Sequence, residues 1–373
     1  MDQDFPRNVV FVSTQRGWHG GEEQARLLAV GLRQRGCRCV VFARRGGAFA
    51  ERMAAEGFEV VGFGGGGRNL AAIWQMRRAL RRIRPDVLHY NDSHALNGAG
   101  LASLGLHVPA RIAARRVDFS LRSPRPYRWF SDRVVCVSQA VRRVCHEGRL
   151  PDAMLRVVHD GVDPARVASG DRRRGRRSLG LTDDQTLLLT VATLTDHKGH
   201  RFLLEALPEV IQKVPNVVVA LAGDGELRET LERQAEQLGV GPHVRFLGFR
   251  NDVYDLIHAA DLFVLPSHLE GLCSTLIDVM LAQRTIVTTS AGGIPDLVGG
   301  DQAGDPPAAW IVPPRNPKAL ADAIVHALAS PDESRAMCER ACQRAKERFT
   351  ADCMVEATLA VYRETAGGFA TRR

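Results

Sequence analysis

Apolar residues along this chain come in short runs, each separated from the next by a longer stretch whose apolar positions recur every three or four residues. The short runs read as strands buried on both faces, and the longer stretches as amphipathic helices. Strands are predicted at residues 8–12, 39–42, 59–61, 86–89, 111–114 and 133–137; after a pause over 164–184 they resume at 186–192, 216–222, 244–247, 262–265, 285–288 and 309–312. Helices are predicted near 22–35, 200–213, 225–238, 252–259, 274–283 and 317–329. Alternating strands and helices imply a parallel sheet covered on both faces. Two such series imply two sheets. The expected fold class is α/β, with two Rossmann-like domains whose parallel sheets face across a cleft. The expected divisions are 1–168, a linker at 169–184, 185–350, and a C-terminal helical segment 351–373 that could return to the first domain.

Length agrees with that division, because 373 residues exceed the roughly 250–300 at which a single core stops growing. No apolar run reaches the roughly 18 residues of a membrane span, and the acidic, polar start of the chain does not read as a secretory signal. A cytoplasmic protein is expected, with peripheral contact at the inner face of a membrane left open. The eight cysteines form no C-x-x-C pair, so they read as buried or incidental thiols and not as a zinc site or a disulfide framework.

Net charge changes the picture more. At +8 the chain calls for an anionic partner, and nucleic acid, anionic lipid and phosphorylated small molecules all qualify. No recognition helix, RNP or zinc signature accompanies the charge, so nucleic acid is not expected. Arg77, Arg78, Arg81, Arg82 and Arg84 lie on a segment whose apolar positions Ile73, Met76, Leu80 and Ile83 have helical spacing. This basic amphipathic helix either packs on its own sheet with solvated arginines or meets a membrane surface. The run from Arg172 to Arg177 has no apolar stripe and reads as exposed linker.

In open parallel sheets, ligands bind beyond the carboxyl ends of the strands. The loops there carry the candidate chemistry. Gly20 and Gly21 follow the first strand; Lys198, beside Gly199, follows the first strand of the second series; Gly223 and Gly225 follow the next; Phe249 and Arg250 border the third. Glu270 stands in a loop, Gly271, Leu272, Cys273 and Ser274 lead into a helix, and Asp278 falls in that helix's second turn. Free N–H groups at such a helix start favour phosphate. Each feature also has a plainer reading. Thr275 and Asp278 can form a capping box, Lys198 can be a surface lysine at a helix start, and the glycines can serve ordinary turns. Only their joint order favours a sugar-nucleotide site.

That order resembles the retaining GT-B glycosyltransferases of family 4, most strongly from about residue 188 to 314, with weaker support from Gly20–Gly21, Ser138 and Gly161 to Asp163. The resemblance implies that Lys198 grips a donor diphosphate and that Glu270 and Asp278 stand as the paired acids of an E-x7-E element across donor sugar and ribose. The family often has Gly-Arg where this chain has Ala192-Thr193, and glutamate where it has Asp278. One diphosphate contact is thereby missing, for which Arg250 or another arginine could substitute. Family members often carry a functional histidine after an N-domain strand. Here His89 ends one strand, and Arg116 with Asp118 follows the next, suiting an anionic or lipid-linked acceptor. The expected catalytic set is Lys198, Glu270, His89 and Arg116, with no cofactor beyond the donor and no metal. The single Asp-x-Asp, Asp2 to Asp4, lies at the N-terminus. The expected reaction moves a sugar from a nucleotide diphosphate to a hydroxyl, in lipopolysaccharide, glycolipid or cell-surface polysaccharide synthesis. A sugar-nucleotide epimerase and a non-catalytic nucleotide-sugar-binding partner are the alternatives.

Overall fold

The computed structural model describes residues 6–300 and 304–370; Asp2 and Asp4 lie outside the described residues. The chain forms two compact units, one made of the chain up to Gly161 and again from Ala351, the other of Val162–Thr350.

In the first unit, β1 (Asn8–Ser13), β2 (Arg38–Arg44), β3 (Glu59–Phe63), β4 (Val87–Tyr90), β5 (Ala110–Arg115), β6 (Arg133–Cys136) and β7 (Leu155–Val157) make one parallel sheet in the order β3-β2-β1-β4-β5-β6-β7. Strand order reverses beside β1, where the chain crosses from β3 back to β4. Helix Gly20–Gln34 starts at His19, whose backbone N–H donates to the Glu22 carboxylate at 3.3 Å and whose carbonyl accepts from Glu22 N at 3.1 Å. One face of the sheet is closed by the returning helix Ala351–Ala370: Val355, Leu359 and Tyr362 join Phe11, Leu28, Leu32 and Val41 in a single core.

The second unit holds β8 (Thr186–Val191), β9 (Val217–Ala222), β10 (Val244–Gly248), β11 (Leu262–Leu265), β12 (Thr285–Thr289) and β13 (Trp310–Val312), all parallel, in the order β10-β9-β8-β11-β12-β13. Leu188, Val219, Val264 and Val287 from its strands pack with Leu203, Leu207 and Val210 of helix His200–Lys213 and with Leu320 and Ile324 of helix Pro317–Ala329. Here the order reverses between β8 and β11, which places a topological switch point at those two strand ends.

Three stretches depart from the sequence expectation. Residues 162–168, expected in the first domain, belong to the second unit. β7 was not predicted; it is a three-residue strand paired to β6. The arginine run is no exposed linker: Arg172–Ser178 is a helix of the second unit, capped by Asp171. Arg174 forms a two-pronged pair with Asp255, while Arg172 and Arg176 share Asp261. Arg176 is 7% exposed, and its remaining amino group donates to the carbonyls of Thr182 and Gln185. Acids some 80 positions downstream thus give these arginines their carboxylate partners. No helix among the described residues is long and apolar enough to cross a membrane. Seven cysteines are buried free thiols, and Cys353 is half-buried.

Candidate functional site

Lys198 and Glu270 meet at the switch point of the second unit. Lys198 ends the 3-10 turn Asp196–Lys198 after β8, and Glu270 lies in the loop after β11. Lys198 Nζ donates to Glu270 Oε2 at 2.6 Å, with side-chain exposures of 15% and 8%. Ser267 Oγ donates to the same carboxylate oxygen at 3.3 Å. A buried ion pair at strand ends is thus built from residues 72 positions apart.

The surrounding backbone fixes that pair. His268 N donates to His197 O at 2.9 Å, tying the Glu270 loop to the Lys198 turn. The His268 ring Nδ1 accepts from Arg315 at 3.1 Å and Nε2 faces Asp196 Oδ2 at 3.1 Å. Because a guanidinium can only donate, the proton on this imidazole sits on Nε2 and completes the second bond. On the other side, Gly293 N donates to Glu270 O at 2.9 Å and Thr289 Oγ1 to Ser267 O at 2.5 Å. Sequence reading did not single out Ser267, His268, Asp196 or Arg315. Their partners come from three separate loops, and no spacing pattern marks them.

The glycines after β9 answer to the same packing. Gly223 has φ +146°, its N–H donates to Gly248 O at 2.8 Å, and a Cβ there would stand 2.0 Å from Ala192 O. Leu194 N in turn donates to Asp224 O at 3.0 Å, and a Cβ on Gly225 would lie 2.5 Å from Leu194 O. The loops after β8, β9 and β10 are therefore stitched together by backbone. Phe249, beyond this seam, is 79% exposed. Arg250 is not a free diphosphate ligand: it grips Asp252 with two bonds of 2.7 and 2.5 Å and reaches Ser178 Oγ at 3.1 Å.

Gly271, Leu272 and Cys273 run buried from Glu270 into helix Ser274–Leu281, and Ser274 and Asp278 are half-buried. The helix starts at Cys273 with no side-chain cap, so the Thr275–Asp278 capping box does not form at its N-cap. Its first-turn N–H groups carry no capping side chain, which suits an anion. Burial pushes the Cys273 thiol up to about 12, so it stays a neutral thiol beside Glu270.

The first unit places a second polar cluster at its own strand ends. Glu22, 3% exposed, accepts from Ser13 Oγ at 3.1 Å, Asn91 Nδ2 at 3.2 Å and His19 N at 3.3 Å, and burial raises its pKa. Arg116 donates to Asn91 Oδ1 at 2.9 Å and to Asp160 Oδ1 at 3.2 Å. Glu22, Asn91 and Asp160 were not picked out as functional from sequence; the three-residue spacing of His19 and Glu22 is the signal that marks the first of them. Gly21 borders this cluster, where a Cβ would sit 3.8 Å from both Arg116 and Asn91, while Gly20 has open space. Neither glycine is demanded by sterics.

His89 does not belong to this surface. It is 1% exposed inside β4, with Nδ1 2.8 Å from the Tyr362 hydroxyl and its ring 5.3 Å from Phe11, so no acceptor reaches it. The catalytic expectation for His89 is corrected to a core role. Burial holds its pKa down at about 3, and the same cause holds that of His200 at about 4. Since the unfolded chain binds these protons near pH 6.5 and the folded one does not, stability should fall as pH drops from about 6.5 toward 4, by roughly 1.4 kcal/mol per unit per histidine. Urea titrations across that range should show His89→Gln with the slope reduced by about one proton; an unchanged slope would contradict the assignment.

Residues 18–166 match the family Glycosyltransferase Family 4, and residues 171–345 match Glycosyl transferases group 1. The chain belongs to the GT-B glycosyltransferases of family 4 type. The chain is 28% identical over 240 residues to an uncharacterised glycosyltransferase of Methanocaldococcus jannaschii, covering 62% of the chain and 60% of the relative. It is 31% identical over 239 residues to the GDP-mannose-dependent alpha-(1-6)-phosphatidylinositol monomannoside mannosyltransferase of Mycolicibacterium smegmatis, covering 61% and 58%. Those matches span about three fifths of each relative's length. The crystal structure of Anabaena HepE in complex with UDP aligns with a TM-score of 0.83 over 96% of this chain and 100% of HepE, at 21% identity. At that identity the likeness speaks for the fold alone.

Proposed function

We propose that this glycosyltransferase moves a sugar from a nucleoside diphosphate donor to a hydroxyl acceptor with retention of anomeric configuration. The observation that carries the reading is the Lys198–Glu270 contact of 2.6 Å at the switch point. In this reading the donor diphosphate takes over Lys198, whose ammonium offsets the charge that grows on the leaving group, with the N–H groups at Ser274 as fixed dipoles. Glu270, released from the lysine, accepts from donor hydroxyls, and Asp278 accepts from the ribose. Because a cation and a helix start are already in place, the reaction is proposed to need no metal. Retention follows the family resemblance. Arg116, held by Asn91 and Asp160, is the first unit's group for an anionic acceptor. Support for a nucleotide-sugar donor comes also from the GDP-mannose dependence named for the mycobacterial relative, and the same fold in HepE was solved with UDP and with UDP-glucose.

The test begins with thermal shifts against UDP-, GDP- and ADP-sugars. The true donor at 100 times its Kd should stabilise by about 2.7 kcal/mol. Product formed in the presence of a chelator should keep the donor's anomeric configuration by NMR. Absence of any shift, an inverted product, or conversion of donor to an epimer without acceptor would each reject the proposal.

A further inference from the structure

A patch on the first unit stands apart from both polar clusters. Helix Leu70–Ile83 buries Ala72, Met76, Ala79, Leu80 and Ile83 and turns its other side to solvent. On that side Leu70 is 86% and Trp74 61% exposed, and the four-residue spacing continues to exposed Arg78, with exposed Arg81 three residues on. Residues so spaced form one strip along a helix. The Arg78 guanidinium lies 5.7 Å from the Trp74 ring centre. Arg77 reaches across to the neighbouring helix Ser93–Ser103, donating to the carbonyls of Ala102 at 3.0 Å and Leu104 at 2.6 Å. That contact holds the end of the neighbouring helix, with Leu101 and Leu104 44% and 52% exposed, against the helix that carries the strip. Neither helix contains an acidic residue.

Two demands are combined on this face. A nucleic acid or an acidic protein would use the arginines but leave four large apolar side chains in water. A purely apolar partner would leave the arginines unmatched. A surface of acidic phospholipid satisfies both: tryptophan settles at headgroup depth, leucines enter the acyl boundary, and guanidinium groups meet phosphates. We infer that the face formed by Leu70, Trp74, Arg78, Arg81, Leu101 and Leu104 docks on a bilayer rich in anionic phospholipid. The inference needs neither donor nor acceptor and stands independently of the transfer reaction.

Co-sedimentation of the full chain with vesicles of phosphatidylglycerol and phosphatidylcholine, against phosphatidylcholine alone, tests it. Binding should require the acidic lipid and weaken as salt rises toward about 0.5 M. Each arginine near such a surface is worth about fivefold, so Arg78→Gln with Arg81→Gln should weaken binding by about 25-fold. Trp74→Ala should weaken it several-fold and remove most of the blue shift in tryptophan emission that binding produces. All these side chains are exposed, so melting temperatures should not move, which separates lost docking from lost folding. Equal binding to neutral vesicles, or binding indifferent to both sets of substitutions, overturns the inference. So does heparin binding of the same strength that ignores Trp74→Ala, since that describes a general polyanion surface.

Discussion

Lys198→Ala should lower kcat for sugar transfer by about 10²- to 10³-fold, the usual cost of removing one preorganised group that stabilises transition-state charge. Lys198 and Glu270 are, however, both largely buried and bonded at 2.6 Å. Removing the lysine leaves an uncompensated carboxylate, and breaking a buried pair from one side destabilises by roughly 3–5 kcal/mol. Activity would then fall for a structural reason alone. The pair of substitutions Lys198→Met and Glu270→Gln separates the two effects. It removes both charges at similar volume, so it should regain most of the stability lost in Lys198→Ala, as read by denaturant titration. Turnover should stay down by at least the same factor. Recovery of turnover together with stability would make the lysine a structural partner of Glu270 and would defeat its assignment to the leaving diphosphate.

Gly292→Ala should unsettle the same site from the other side without touching a charged group. Gly292 has φ +53°, and a Cβ there would fall 1.8 Å from the carbonyl oxygen of Glu270. The left-handed conformation costs an alanine about 1–2 kcal/mol, and a forced backbone shift adds about 1–3 kcal/mol. Together, about 2–5 kcal/mol, these should lower the melting temperature of the second unit by roughly 4–20 °C. The direction of relief matters more than the total. The clash presses on the peptide that accepts from Gly293, so the loop that holds Glu270 against Lys198 has to shift. Donor affinity should therefore fall even well below the melting transition, where the protein remains folded. A variant that melts early but binds donor normally would show that the loop has an alternative way to yield.

The sheets were legible because their strands are continuous apolar runs bounded by polar loops, as in Leu262–Leu265 before Pro266. β7 escaped because it is three residues long with Arg156 at its centre. The helix Arg172–Ser178 escaped for a deeper reason. Its stability rests on Asp255 and Asp261, and no periodicity within the run itself reports charges so far along the chain. The candidate site divides in the same way. Lys198 and Glu270 could be proposed because loop order after parallel strands is a property of the sequence, and the structure brings those two side chains together. His89 was misplaced because a strand residue's face is visible from alternation, whereas what covers that face, here Tyr362, is not. Arg250 was assigned to a ligand although its own loop supplies Asp252 two residues on, a pairing that could have been read.

The return of helix Ala351–Ala370 to the first unit has a consequence for biosynthesis. Val162–Thr350 is contiguous, so this segment can complete its core as soon as it leaves the ribosome. The earlier-made half cannot, because Val355, Leu359 and Tyr362 are still to be translated. At about 5–20 residues per second, its open sheet face waits on the order of 10–40 s. Of the two units, the one whose synthesis starts earlier is thus the later to finish folding, and nascent-chain chaperones would find their target on the face where Phe11, Leu28 and Leu32 await the returning helix.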